Sequence, residues 1–196
     1  LSNVRKQDSN LYVIPYMLGE AALRQGKFEE AKSQLQEAIK LAPEFDQGMM
    51  ALARALHEQG DDAGAQQWLN EALKRNPQNY RAWYELGSIQ RKSDRSEATN
   101  SFAKALAIQP NFAIAERDLG MIRFDQKGYS EAAQHFAKAI ILGFDDSRTY
   151  NYLGICYSRM SQFSKAVASY KKAVQITPDL AEAHLNLAYA YQRLNR

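Results

Sequence analysis

The stretch SRTYNYLGICYSRMSQFSKAVASYKKAVQITPDL, residues 147–180, decides the fold. Its first half sets Tyr150, Leu153, Gly154 and Tyr157 at i, i+3, i+4 and i+7, and its second half places Ala166, Tyr170 and Ala173 on one face of a second helix. Pro178 then stops that helix, so the segment reads as a helical hairpin. Working outward, the small residue in its first helix recurs along the whole chain. Gly19, Ala53, Gly87, Gly120, Gly154 and Ala188 follow one another at steps of 34, 34, 33, 34 and 34 residues. Ala31, Ala65, Ala98, Ala132 and Ala166 keep the same step, and Pro43, Pro77, Pro110 and Pro178 close the units. A fixed period of this size marks a repeat protein in which each unit buries its apolar face against its neighbours.

Turn signals fall between the paired helices at Gly26, Gly60 and Gly128. Where the closing Pro is missing, Phe144 takes its place; there LGFDD offers Gly143 as the left-handed residue that ends a helix and Asp145 or Asp146 as the next cap. The third unit departs from the pattern: Gly87 to Ala98 spans 11 steps rather than 12, its turn KSDRSEA has no Gly, and Arg95 stands where Phe28, Tyr129 and Phe163 stand elsewhere.

The sequence resembles the tetratricopeptide repeat, whose pattern runs Trp-x2-Leu-Gly-x2-Tyr, then Ala-x3-Phe, then Pro. Trp83, Leu86, Gly87, Ala98, Phe102 and Pro110 carry the resemblance in one unit; Tyr150, Leu153, Gly154, Tyr157, Ala166, Tyr170 and Pro178 carry it in another. It implies an all-α, right-handed superhelical solenoid of antiparallel helix pairs, with about five repeats and a final helix. The units are 12–45, 46–79, 80–112, 113–146 and 147–180. Residues 1–11, with Leu1 and Val4, read as the tail of a preceding second helix, and 181–196 as an unpaired or capping helix.

Composition narrows the function classes. The chain has 196 residues, 45% hydrophobic and 24% charged, which suits a folded repeat protein. No apolar run approaches the roughly 18 residues of a membrane span. The N-terminal LSNVRKQDSN has neither an initiator Met nor an apolar signal segment, so the sequence reads as a piece of something longer, cytoplasmic or periplasmic. His57, His135 and His184 lie in different units without ligand spacing, and Cys156 sits in the apolar YLGICY with no base beside it. No phosphate loop, nucleophile elbow or carboxylate pair stands out. The expectation is a non-catalytic chain without cofactor or metal.

Two stripes run along each first helix at about 100° per residue. Residues four before, one before and three after the small marker face the paired helix, and Trp83 and Leu86 belong there. Residues six and three before, and one, four and five after, form a second stripe that includes Tyr84. Trp83 therefore builds the hairpin, and Tyr84 is left to bind. In the resembled family the second stripe lines a concave surface that receives an extended peptide or a partner helix. The resulting candidate site is Tyr16, Met50, Arg54, Arg81, Tyr84, Arg117, Met121, Phe124, Arg148 and Asn151.

The stripe holds nine basic and four acidic residues on a chain of net charge +3, and eight of the nine are Arg. Arg forks onto carboxylates, which points to an acidic or carboxylate-bearing protein or peptide partner. The competing reading is a solvated face neutralised by Glu85, Asp118 and Asp125. The Lys and Asn pair used to clamp chaperone tails is missing at the matching positions, and four acids among nine cations argue against a nucleic-acid groove. Two rivals are self-assembly through the terminal segments, as a homo-oligomer, and a regulatory arm of a larger enzyme.

Overall fold

The computed structural model describes residues 10–195. Among them are eleven helices and no strand: α1 (Val13–Arg24), α2 (Phe28–Leu41), α3 (Asp46–Glu58), α4 (Asp62–Arg75), α5 (Tyr80–Ser93), α6 (Arg95–Ile108), α7 (Ala113–Asp125), α8 (Tyr129–Ile141), α9 (Ser147–Arg159), α10 (Phe163–Ile176) and α11 (Ala181–Leu194). No described helix is long and apolar enough to cross a membrane. The described residues form a first compact unit up to Lys104 and a second from Ala105, each holding several of the repeats.

In the first unit the core stripe of α3 is fully realised: Met49, Leu52 and Leu56 are buried and pack with Leu35, Leu69 and Leu86. The small markers explain why the helices of a hairpin lie so close. A Cβ on Gly19 would stand 2.6 Å from Leu35 Cγ, and one on Gly87 would stand 2.8 Å from the ring of Phe102. The shortened third repeat adds polar contacts at its turn. Asp94 alone joins α5 to α6; its Oδ1 accepts from the N–H groups of Ser96 at 2.8 Å and Glu97 at 3.0 Å. Just inside the turn, the buried Gln90 accepts from Ser101 Oγ at 2.7 Å and donates to Glu97 at 3.1 Å.

In the second unit Phe136 and Tyr170 sit on Gly120 and Gly154, where an added Cβ would fall 2.7 and 2.5 Å from their rings. Polar side chains also enter core-facing positions of this unit. Glu116, in the register that Trp83 holds in the first unit, is buried and accepts from Lys138 Nζ at 2.5 Å and His135 Nδ1 at 2.7 Å. His184, also in that register, repeats the role of Trp83. Its Nε2 donates to the Pro178 carbonyl at 2.8 Å, as Trp83 Nε1 donates to the Pro77 carbonyl at 3.0 Å.

Helix ends follow the sequence in most places. Gly143 is left-handed at φ 94, and Asp146, rather than Asp145, caps α9 by accepting from the N–H of Arg148 at 3.0 Å. Gly26 and Gly60 have φ 71 and 84, but at Gly128 the expectation fails. The left-handed residue there is Lys127, at φ 62, and Ser161 takes the same conformation in the fifth repeat at φ 59. Position, not glycine, sets the turn, and a side chain is accepted there at a cost. Lys127→Gly is expected to raise stability by up to about 1 kcal/mol in thermal unfolding, since it relieves the clash of Cβ with the backbone; a loss of stability would overturn this account.

Candidate functional site

The second stripe opens into clefts in both units, and each is set by where adjacent first helices place their side chains. In the first unit a cleft of about 510 Å³ brings together Tyr16, Met50, Arg54 and Arg81. Tyr16 is half-buried, its ring edge-on to Phe45 at 4.9 Å. Met50 belongs to the buried core and accepts a contact from Asn79 Nδ2 at 3.1 Å, so it floors the cleft and offers little surface to a partner. Arg81 is exposed and lies over the ring of Tyr80, 5.7 Å from its centroid. Tyr84 is absent from the lining residues. Its ring packs on the fully buried Phe102, with centroids 5.5 Å apart, so it is half-buried and shares in building the hairpin as Trp83 does. Trp83 is itself only half-buried, with Lys104 Nζ 4.0 Å above its ring. The division between a building ring and a binding ring is therefore not sharp.

Arg54 departs furthest from the expectation of a cation waiting for an acidic ligand. Its Nη2 lies 2.6 Å from Glu20 Oε1, across 34 residues, and its Nε lies 3.9 Å from Glu85 Oε1. Both carboxylates come from neighbouring first helices, so Arg54 is neutralised from either side. Burial, reinforced by the charge of Glu20, pushes the Glu85 carboxyl up to about 7 against the pull of Arg54. Burial also raises the Tyr16 phenol, with Glu20 adding to the effect. The sequence names Glu85 as a neutralising neighbour and counts Glu20 among the four acids of the stripe, without pairing it to Arg54. The signal was present, since Glu20 and Arg54 each follow the small marker by one residue and so stack between adjacent units.

In the second unit Arg117, Met121 and Arg148 line a smaller cleft of about 270 Å³, walled by Phe144 and Tyr152. Arg117 is held by Asp118 at 2.9 Å and lies 5.2 Å from the centroid of Phe144. Arg148 is exposed. Asp146 also lines this cleft, but its carboxylate is occupied as a helix cap. Phe124 and Asn151 do not take part. Phe124 packs edge-on against Tyr152 at 5.1 Å and Tyr129 at 5.8 Å, and Asn151 is buried, accepting from Asn186 Nδ2 at 3.1 Å. Of the two, Phe124 backs the wall through its contact with Tyr152. Cys156 is fully buried and its thiol is pushed up to about 12 by burial, which leaves it a core residue rather than a nucleophile.

Comparison with known proteins agrees with this architecture. Family models described as tetratricopeptide repeat and TPR repeat match residues 16–80 and 63–98 and residues 157–195. Human tetratricopeptide repeat protein 7B is 30% identical over 95 residues, 48% of this chain, and the chain spans only 11% of that protein's length. Among solved structures, pilF of Pseudomonas aeruginosa superposes with a TM-score of 0.81 at 20% identity, covering 97% of this chain and 87% of that one. YrrB, a TPR protein with an unusual peptide-binding site, reaches 0.71 at 17% identity with 97% of each chain covered. With the 34-residue period, the small-residue sockets and both sets of matches pointing one way, this chain belongs to the tetratricopeptide-repeat family.

Proposed function

We propose that this chain is a non-catalytic interaction module that receives a peptide segment or a partner helix on the second stripe of its first helices. Tetratricopeptide-repeat proteins bind proteins or peptides, and the YrrB fold, which resembles this one, carries a peptide-binding site. The observation that carries the reading here is the second-unit cleft. Arg117 and Arg148, from adjacent first helices, line it together with Phe144 and Tyr152, a combination of guanidinium and ring that suits a carboxylate-bearing peptide. Helices already formed reduce the ordering cost to that of the ligand.

The test is selection of a displayed random-peptide library on the intact chain, followed by affinity measurement with the Arg117→Glu, Arg148→Glu double variant. Acidic peptides are expected to dominate the second-unit binders and to lose at least about tenfold in affinity on reversal, the equivalent of roughly 1.4 kcal/mol, with helical content unchanged. Peptides that survive the reversal undiminished would move recognition off this stripe.

A second reading, association through the ends, draws on one specific feature. Leu11, Ile14, Met17 and Leu18 are each more than half exposed on or beside α1, and Leu185 and Tyr189 of α11 are 72% and 48% exposed. These exposed apolar side chains are what favours association over a polar cap at the last helix. Leu1 and Val4 lie outside the described residues. Solution mass that rises with concentration would favour this reading over the first.

A further inference from the structure

We propose that the first-unit cleft, bounded by α1, α3 and α5, is a socket for a basic side chain, the ammonium of a lysine or the guanidinium of an arginine carried by a partner protein. The inference rests on the reading of the second stripe as a docking face and assigns that face a chemistry in this unit, opposite in sign to the one its arginines suggest from sequence.

Two carboxylates converge on the single guanidinium of Arg54, and they are not served equally. Glu20 takes the close contact at 2.6 Å, while Glu85 stands off at 3.9 Å. The other oxygen of Glu85, Oε2, is buried with no hydrogen-bond partner. A buried acceptor left unmade is costly and is relieved by any donor that reaches it. Glu85 lines the cleft of about 510 Å³, and its terminal bond is torsionally soft, so the carboxylate can turn to meet a donor that arrives there. Tyr16 and Tyr80 line the same cleft, and Tyr80 already carries the guanidinium of Arg81 5.7 Å from its ring centroid, the kind of surface on which a cation is favoured.

The two signs of ligand can be compared directly. A carboxylate entering here would face Glu85 and would compete with Glu20, which already holds Arg54 Nη2 at 2.6 Å. An ammonium or guanidinium supplies Glu85 with the donors it lacks and leaves the Glu20 to Arg54 pair intact. The charged groups acting on Glu85 are Glu20 from α1, Arg54 from α3 and Arg81 from its own helix. Of these Arg81 is turned to its neighbour, its Nε donating to Tyr80 Oη at 3.2 Å. Because Glu85 holds its proton up to about pH 7, a cation binds with release of that proton, and its affinity rises with pH.

The experiment uses the intact chain and four pentapeptides, acetyl-Ala-Ala-X-Ala-Ala-amide with X as Lys, Arg, Glu or norleucine, titrated by backbone-amide NMR. The Lys and Arg peptides are expected to shift amides around Glu20, Arg54 and Glu85, with roughly tenfold tighter binding at pH 8 than at pH 5.5. Glu85→Gln should remove most of that gain, and Glu20→Gln, which frees Arg54 to pair with Glu85, should weaken binding in the same direction. Preference of these amides for the Glu peptide, or Lys binding indifferent to pH and to both variants, overturns the socket. Norleucine or Glu peptides shifting second-stripe amides while Lys and Arg do not overturn it alone. Should none of the four move a second-stripe amide in either unit, the docking-face reading falls with it.

Discussion

Glu85→Gln is expected to leave stability unchanged at pH 4 and to raise it by about 2–3 kcal/mol at pH 8. The sign follows from linkage. In the folded chain the Glu85 carboxyl is pushed from 4.5 up to about 7, so the folded state holds a proton that the unfolded state has already lost. The contribution of Glu85 is therefore fully present below about pH 4.5 and is lost as pH rises through about 7, a span worth roughly 3 kcal/mol at 1.4 kcal/mol per unit. Gln keeps the shape and carries no proton to lose. The attraction of Arg54 for the ionised carboxylate is already contained in that value of about 7, and the gain is set a little below the full span because the Glu85 side chain keeps 26% of its surface exposed to screening solvent. The difference between the two variants in urea unfolding, taken at several pH values, isolates this one group from every other titration. Parallel curves would mean that Glu85 ionises normally and that its burial is relieved in solution.

The larger single loss should come from Phe136→Ala, at about 3–5 kcal/mol. Phe136 is fully buried, its ring rests on Gly120, and it stacks with Tyr152 at 5.9 Å and 22°. Truncation leaves a cavity between Gly120 and Tyr152, the two residues against which the ring packs. The companion change makes the argument specific. Gly120→Ala drives a methyl to within 2.7 Å of that ring and should cost about 1–3 kcal/mol alone, because an overpacked core must shift backbone or rotamer. In the Phe136→Ala background the ring is gone, so the same change should be nearly free. Coupling of this kind is read from a double-mutant cycle in denaturant unfolding. Strict additivity would show that the marker glycine is retained for some reason other than close approach.

These two residues also show where the sequence is sufficient and where it is not. Gly120 and Phe136 are legible because they recur: the small marker and the large residue that sits on it are separated by a constant distance in nearly every unit, and a helix face is a periodic property of the local chain. The same holds for the stop at Gly143 and the cap at Asp146, whose chemistry lies within a few residues of the turn they make. Periodicity alone thus determined the all-helical repeat, the pairing of helices and the face that each helix turns to its partner. Lys127 marks the limit of local reading, since the turn demands a left-handed residue one position before the glycine that advertised it.

The charge of the candidate site was decided by tertiary structure. Counting cations along a stripe treats each as free, whereas Arg54 is held between Glu20 and Glu85, each on a different helix, and Arg117 is tied to Asp118. Met50 and Asn151 share the stripe by angle yet are buried by the neighbouring hairpin. A helical wheel knows the direction of a side chain from its own axis. It does not know how near the adjacent helix comes, and that spacing, set by packing of whole hairpins, determines which charges cancel and which polar atoms, such as Glu85 Oε2, remain without a partner.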